Sequence, residues 1–143
     1  MVNRDLIAAQ LTELAQRMDR VRSHTPPTVA ALRSNQDALD LVAFNLMLCV
    51  QSCAAMASHL IADEGWPAAR SMAETFARLH EKGILSESTS DSLQQAVGLR
   101  NVVAHGYAGI DVASCHRAAT TGLAHWTAFS QELARWLAAN DPA

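Results

Sequence analysis

The sequence is poor in charge and in tyrosine. Only 17% of its 143 residues are Asp, Glu, Lys or Arg, and it holds a single tyrosine, whereas a typical soluble domain is about 25% charged. Ten of its eleven basic residues are Arg, yet the net charge is −3 and the pI is near 6.0. A protein that binds long nucleic acid through many phosphates usually has a basic face and a high pI. The composition therefore excludes binding of nucleic acid through a broad basic surface. Any contact with nucleic acid would depend on a few arginines at specific positions.

Half of the residues are apolar, which excludes a disordered chain and predicts one domain over residues 1–143. The first residues are polar and form no signal-peptide core. The longest apolar run, residues 41–50, is interrupted by Asn45 and is too short to cross a bilayer. The cysteine count is odd at three. We therefore expect a cytoplasmic protein with reduced thiols and no membrane contact.

Glycine is scarce, and nearly every stretch between turn residues carries apolar residues at helical spacing. The pattern predicts helices over residues 3–22, from between Thr28 and Asn35 to about 63, over 68–80, and from Ser88 or Ser90 to 104 or 105. A last long helix is expected after Asp111. No run alternates with period two for long enough to predict a strand. The expected architecture is all-α, a five-helix bundle.

One segment concentrates reactive side chains at a predicted helix end. Residues 100–107 read RNVVAHGY and contain Arg100, Asn101, His105 and the single tyrosine, Tyr107. A guanidinium can hold a phosphate bidentately and stabilise a pentacoordinate transition state, and an imidazole exchanges protons near neutral pH. One histidine per chain cannot easily act as both base and acid. A symmetric dimer would supply two histidines and two arginines to one cleft.

On these residues the sequence resembles the HEPN superfamily and, within it, the HepT toxin family. The family motif is Arg, a polar residue, three positions, then His-x-Tyr, and residues 100–107 match it. Segments 76–85 and 109–111 are also similar to the family, and the resemblance extends over about residues 3–138. It implies a HEPN bundle that forms a homodimer. It also implies a metal-independent endoribonuclease toxin of a type VII-like toxin–antitoxin system, with RNA as substrate and no cofactor.

The resemblance also implies roles for single residues and a partner protein. Arg100 and His105 would be catalytic, and Asn101 would help to orient the phosphate or the imidazole. The antitoxin would be a nucleotidyltransferase of the MNT type that transfers AMP from ATP to Tyr107. The added phosphates would compete with an RNA phosphate and fill the cleft.

Other interpretations of the same residues remain open at this point. Arg100 and His105 can be ordinary helix-end residues, Asn101 can bond only to backbone, and Tyr107 can pack under the last helix. The main alternative function is a non-catalytic HEPN module that binds a nucleotidyltransferase and helps to form its nucleotide site.

Two cysteines one turn apart raise the possibility of a metal site. Cys49 and Cys53 could ligate a metal together with Cys115 or His59. They lie on the apolar face of their predicted helix, however, which favours core packing. The sequence therefore predicts no metal site.

Overall fold

The computed structural model describes residues 3–106 and 109–140, and within these ranges all regular structure is helical. Seven helices follow one another in these two ranges: α1 (Arg4–His24), α2 (Val29–Arg33), α3 (Gln36–Asp63), α4 (Met72–Glu81), α5 (Glu87–Ala104), α6 (Val112–Ala119) and α7 (Leu123–Ala139). The all-α prediction is confirmed. The count differs from the expected five because of two local features of the sequence.

The first feature is a separate short helix, α2, before α3. The side-chain oxygen of Thr28 accepts a hydrogen bond from the backbone N–H of Ala31, and that of Asn35 accepts one from Ala38. Such bonds satisfy N–H groups that have no partner in the first turn of a helix. The two residues between which one helix start was predicted are therefore the N-caps of two helices.

The second feature is a break in the predicted last helix. The backbone N–H of Gly122 bonds to the carbonyl of Arg117 at 2.8 Å, which is one residue further back than in an α-helix. A Cβ at Gly122 would lie 2.7 Å from both Cα and O of Ala118. The chain turns so tightly here that only glycine fits, and the segment after Asp111 becomes α6 and α7.

Helix α3 lies at the centre of the bundle and contacts α1, α2, α4, α5 and α6. Seven apolar residues at helical spacing along it are all buried: Leu39, Val42, Leu46, Val50, Cys53, Ala57 and Leu60. By length and composition α3 could cross a membrane, but 56% of its most apolar window is buried inside the protein. Most of its hydrophobicity therefore serves the core.

Helix α5 is fixed at its start by bonds to two neighbouring helices. Ser86 is its N-cap, and Glu132 of α7 accepts a hydrogen bond from the Thr89 hydroxyl at 2.6 Å. The buried Ser90 donates instead to the carbonyl of Phe76 in α4, at 3.0 Å. The start of this helix was predicted at Ser88 or Ser90, and this was wrong, because the N-cap is Ser86, two to four residues earlier. Ser90 instead joins α5 to α4.

Candidate functional site

The reactive segment found in the sequence lies at the carboxyl end of α5. Ala104 is the last helical residue and His105 is the C-cap, with its backbone N–H bonded to the carbonyl of Asn101 at 3.1 Å. Gly106 then adopts a φ of +93°, a left-handed conformation that favours glycine after a helix end. Helix α5 thus ends where the sequence predicted. Tyr107 lies outside the described residues.

Arg100 is half-buried beside the end of α5, and its guanidinium is held by its neighbour. Nη1 of Arg100 donates to Oδ1 of Asn101 at 3.1 Å. Nε of Arg100 is buried and has no hydrogen-bond partner within the described ranges. A buried donor without a partner is costly, so the position of this nitrogen is unfavourable by itself.

Asn101 therefore connects the two predicted catalytic residues. Its side-chain oxygen accepts from Arg100, and its backbone oxygen accepts from the N–H of His105. The side chains of Asn101 and His105 are both exposed. The end of α5 thus offers a restrained guanidinium, which can hold a phosphate, and an accessible imidazole, which can exchange a proton.

The chain returns from this site through Gly109 and Asp111 into α6. Gly109 has a φ of +84°, and Asp111, after which the last helix was predicted to begin, is the N-cap of α6. Its carboxylate accepts from the Ser114 hydroxyl at 2.8 Å and from the backbone N–H of Ala113 at 3.0 Å. The Ser114 hydroxyl, followed by the backbone N–H of the same residue, lowers the pKa of Asp111 below its ordinary value. Both groups of Ser114 donate hydrogen bonds to the ionised side chain of Asp111. The N-cap of α6 is therefore the carboxylate form of Asp111.

Sequence reasoning missed a cavity on the side of α5 that faces α6 and α7. Its volume is about 260 Å³, and its lining includes Arg117, His125, Ser92, Leu99 and Trp126. The indole N–H of Trp126 finds no acceptor among the described residues. Ser92 and Leu99 lie seven residues apart and therefore on one face of α5. This spacing was the only feature of the sequence that could have indicated that both line the same cavity. The cavity lies beside the helix that carries Arg100.

The cysteines lie in the core, as their apolar helix face predicted. Cys49, Cys53 and Cys115 are buried. Burial raises the pKa of Cys49 to about 12 and that of Cys115 to about 11, and it raises the pKa of Cys53 well above its ordinary value. In the described part of the chain, no three His, Cys, Asp or Glu side chains come together as a metal site.

The chain matches one protein-family model and is similar in part of its length to a curated protein. The family model described as Ribonuclease HepT-like matches residues 14–133. An mRNA nuclease HepT of Shewanella oneidensis is 31% identical over 68 residues, which are 48% of this chain and 51% of that protein. The match thus spans about half the length of this curated relative.

Solved structures share the fold at low sequence identity. A tri-AMPylated HEPN toxin of Shewanella oneidensis in complex with an MNT antitoxin superposes with a TM-score of 0.85 at 20% identity, over 92% of this chain and 98% of that one. A toxin–antitoxin with AMP-PNP gives 0.86 at 19% identity over the same shares. A cytosolic protein of unknown function from Bacillus subtilis, YutE, gives 0.84 at 12% identity over 99% and 95%. At these identities the likeness establishes the fold.

Proposed function

The chain belongs to the Ribonuclease HepT-like family, and on that basis we propose that it is an endoribonuclease toxin that acts as a homodimer in the cytoplasm. The observation that carries the proposal is the end of α5, where Asn101 holds the guanidinium of Arg100 and where His105, the C-cap of the same helix, is exposed. The family relationship and this arrangement support the same reaction, cleavage of an RNA phosphodiester bond.

The proposed chemistry uses these side chains and requires no metal or cofactor. Arg100 binds the scissile phosphate and stabilises the negative charge that grows on its oxygens. A neutral His105 takes the proton of the ribose 2′-hydroxyl as that oxygen attacks phosphorus. A protonated His105 gives a proton to the departing 5′-oxygen. The products are a 2′,3′-cyclic phosphate and a 5′-hydroxyl, and the total number of protons is unchanged.

This chemistry supports a homodimer because base and acid are needed at once. Each chain carries one histidine in the motif, so a symmetric cleft would provide a neutral imidazole from one copy and a protonated one from the other. It would also contain two copies of Arg100. The two guanidiniums would replace the broad basic surface that the chain, at a net charge of −3, lacks.

The proposed partner is an MNT-type nucleotidyltransferase that neutralises the toxin by transferring AMP to Tyr107. Tyr107 follows His105 by two residues, so an adduct on its hydroxyl would bring phosphate charge to the cleft and repel RNA. A similar fold is found in an AMPylated HEPN toxin bound to its MNT antitoxin, which supports this kind of regulation.

The decisive experiment is expression with and without the partner, followed by an assay of the purified protein. We expect growth arrest and RNA cleavage by the unmodified chain, loss of both in His105→Ala, and no change in His24→Ala, a matched change of an exposed histidine on α1. Co-expression with the nucleotidyltransferase should add AMP units that peptide mapping assigns to Tyr107. An unmodified Tyr107 in the presence of an active partner would refute the regulatory part.

The acidic character of the chain favours one second candidate, a non-catalytic HEPN module that binds the nucleotidyltransferase and helps to form its nucleotide site. This function needs no RNA contact and fits a net charge of −3. It predicts no toxicity and no cleavage, with nucleotide binding by the partner that is stronger in the complex than alone.

A further inference from the structure

The cavity between α5, α6 and α7 lies beside the candidate site but is lined by none of its side chains. Its volume of about 260 Å³ has room for about eight water molecules at roughly 30 Å³ each. An inorganic anion of a few atoms would fill only part of this space, and drug-sized ligands occupy pockets of about 300–1,000 Å³. The cavity therefore fits a small organic molecule.

The inner surface of the cavity is apolar. Leu93 and Trp126 line it and are 1% and 2% exposed, and the half-buried Ala96 and Leu99 lie on the same wall of α5 as Leu93. We call these four residues the floor. Such a surface favours a ligand with an apolar body, because burying that body removes apolar area from water.

The remaining lining is polar and carries cationic groups. Arg117 is exposed, and among the described residues its guanidinium makes no hydrogen bond or ion pair. Its charge is the smallest of the influences that lower the pKa of Asp111. Nε2 of His125 lies 3.4 Å from the hydroxyl oxygen of Ser92, and an imidazole can carry a positive charge near neutral pH. We call Arg117 and His125 the rim.

The charge at the cavity is opposite in sign to that of the chain. None of the described residues that line it is acidic, although the chain has fourteen acidic and eleven basic residues. The cavity therefore favours a ligand whose apolar body carries a negatively charged group.

The cavity also lies close to the proposed reacting phosphate. Its wall on α5 extends from Ser92 to Leu99, about 10 Å along the helix. Leu99 directly precedes Arg100, and it lies about 9 Å along the helix from His105. The cavity thus begins less than two helical turns from the end of α5.

We infer that this cavity binds one nucleotide, with its base on the floor and its phosphate at the rim. A base has an apolar face and a hydrogen-bonding edge. The amide of Gln95, which also lines the cavity, offers a donor and an acceptor to such an edge. The guanidinium of Arg117 can bind a phosphate through two parallel hydrogen bonds.

The same chemistry would recognise a nucleotide of the RNA substrate or a free nucleoside monophosphate. In RNA it would be a nucleotide near the cleaved bond, and the cavity would then influence which base is preferred there. The RNA source rests on the proposed function, whereas binding of a free monophosphate does not.

Calorimetric titration of the wild-type chain with each nucleoside 5′-monophosphate tests the site directly. At least one should bind with a dissociation constant below about 1 mM. Arg117→Ala should raise this constant at least about 10-fold, because hydrogen bonds to charged groups are strong. Arg135→Ala removes the same charge from an exposed position on α7 outside the cavity, and it should leave binding unchanged.

A second variant fills the floor without changing the charge. Ala96→Leu should abolish nucleotide binding, while Ala124→Leu, an exposed change on α7 outside the cavity, should not. Circular dichroism and Tm show whether each variant is folded, and Arg117→Ala decides if Ala96→Leu is not. Inorganic phosphate should bind at least about 10-fold more weakly than the nucleotide, and equal affinity would overturn the inference.

RNA cleavage distinguishes the two sources of the nucleotide. If the nucleotide belongs to RNA, Arg117→Ala should raise KM for cleavage about 10-fold with little change in kcat, and sequencing of the products of Ala96→Leu should show an altered base preference near the cut. If both variants lose monophosphate binding but keep the wild-type KM and base preference, the ligand is a free nucleotide.

Two results would overturn the inference, and neither depends on cleavage. One is a wild-type chain that binds no monophosphate. The other is binding that is lost in Arg100→Ala but kept in Arg117→Ala, since this would place the nucleotide at the end of α5. RNA cleavage without monophosphate binding would leave the proposed function intact, whereas monophosphate binding at the cavity without cleavage would refute the proposed function alone.

Discussion

Nη1 of Arg100 lies 3.1 Å from Oδ1 of Asn101, and this bond sets the direction of the guanidinium at the end of α5. The two residues are adjacent in sequence, so the bond forms without any long-range packing. With its oxygen engaged, the Asn101 amide directs its NH₂ group away from the arginine, and this group can donate to a phosphate. Asn101 is therefore a positioning residue for Arg100.

The first prediction concerns the role of Asn101. Asn101→Ala should lower kcat/KM for RNA cleavage about 10- to 100-fold, because a hydrogen bond to a charged group contributes about 1.5–3 kcal/mol. Asn101→Asp keeps an acceptor for Arg100 but adds a negative charge, so it should mainly raise KM. Single-turnover kinetics separate these effects. Wild-type kinetics in Asn101→Ala would show that Arg100 needs no such support.

The second prediction tests whether both copies of His105 act in one cleft. Wild-type chains are mixed and re-equilibrated with His105→Ala chains. With half of the chains wild type, cleavage should fall to about a quarter, since only that share of random dimers has two histidines. A fall to only about three quarters would indicate that one histidine per cleft suffices, and a fall to about a half would indicate that each chain acts independently. Dilution with Arg33→Ala, an exposed change on α2, should leave the rate unchanged.

Most of the fold followed from local rules that the sequence displays. Asn3, Asn35 and Asp111 are N-caps because their side chains accept backbone N–H groups, and Gly106 terminates α5 through its positive φ. Each effect depends on residues within a few positions. The break at Gly122 escaped prediction because its cause is contact with the backbone of Ala118, while the side chains around it keep helical spacing.

Part of the candidate site could also be predicted from the sequence, because its residues are close together in the chain. Arg100, Asn101 and His105 lie on one helix end, so spacing alone brought them together. Arg117 and His125 come from α6 and α7, and their position beside α5 depends on how three helices pack. The exposure of Phe44 was likewise hidden, because in sequence it lies within an apolar run whose other members are mostly buried.

The third prediction concerns the three thiols. Because burial raises the pKa of Cys49 to about 12 and that of Cys115 to about 11, the thiolate is scarce at pH 8. The native protein should therefore leave an aromatic disulfide reagent almost unreacted at that pH, and all three cysteines should react after unfolding in guanidinium. Rapid labelling of the folded protein at pH 8 would contradict the buried positions.

The fourth prediction concerns the cap of α6 in acid. The pKa of Asp111 is lowered in the folded chain, so its contribution to stability is full above the unfolded-state pKa and is lost as the pH falls through the folded value. Asp111→Asn keeps an acceptor without the titration and should reduce the acid-induced fall in Tm between about pH 5 and pH 3. Ser114→Ala should reduce the fall as well, because it removes the largest cause of the shift. Identical Tm profiles for wild type and both variants over this pH range would refute the prediction.

The fifth prediction compares two glycines that differ in their surroundings. Gly122→Ala places a Cβ 2.7 Å from the backbone of Ala118. It should lower the free energy of unfolding by about 1–3 kcal/mol, the usual cost of overpacking. Gly98 lies inside α5, and a Cβ there meets nothing within 4 Å, so Gly98→Ala should raise stability by about 0.5–1 kcal/mol through helix propensity. Urea unfolding measures both. Equal stability of Gly122→Ala and wild type would mean that α6 and α7 can join into one continuous helix at little cost, and in that case the circular dichroism of Gly122→Ala should show added helix.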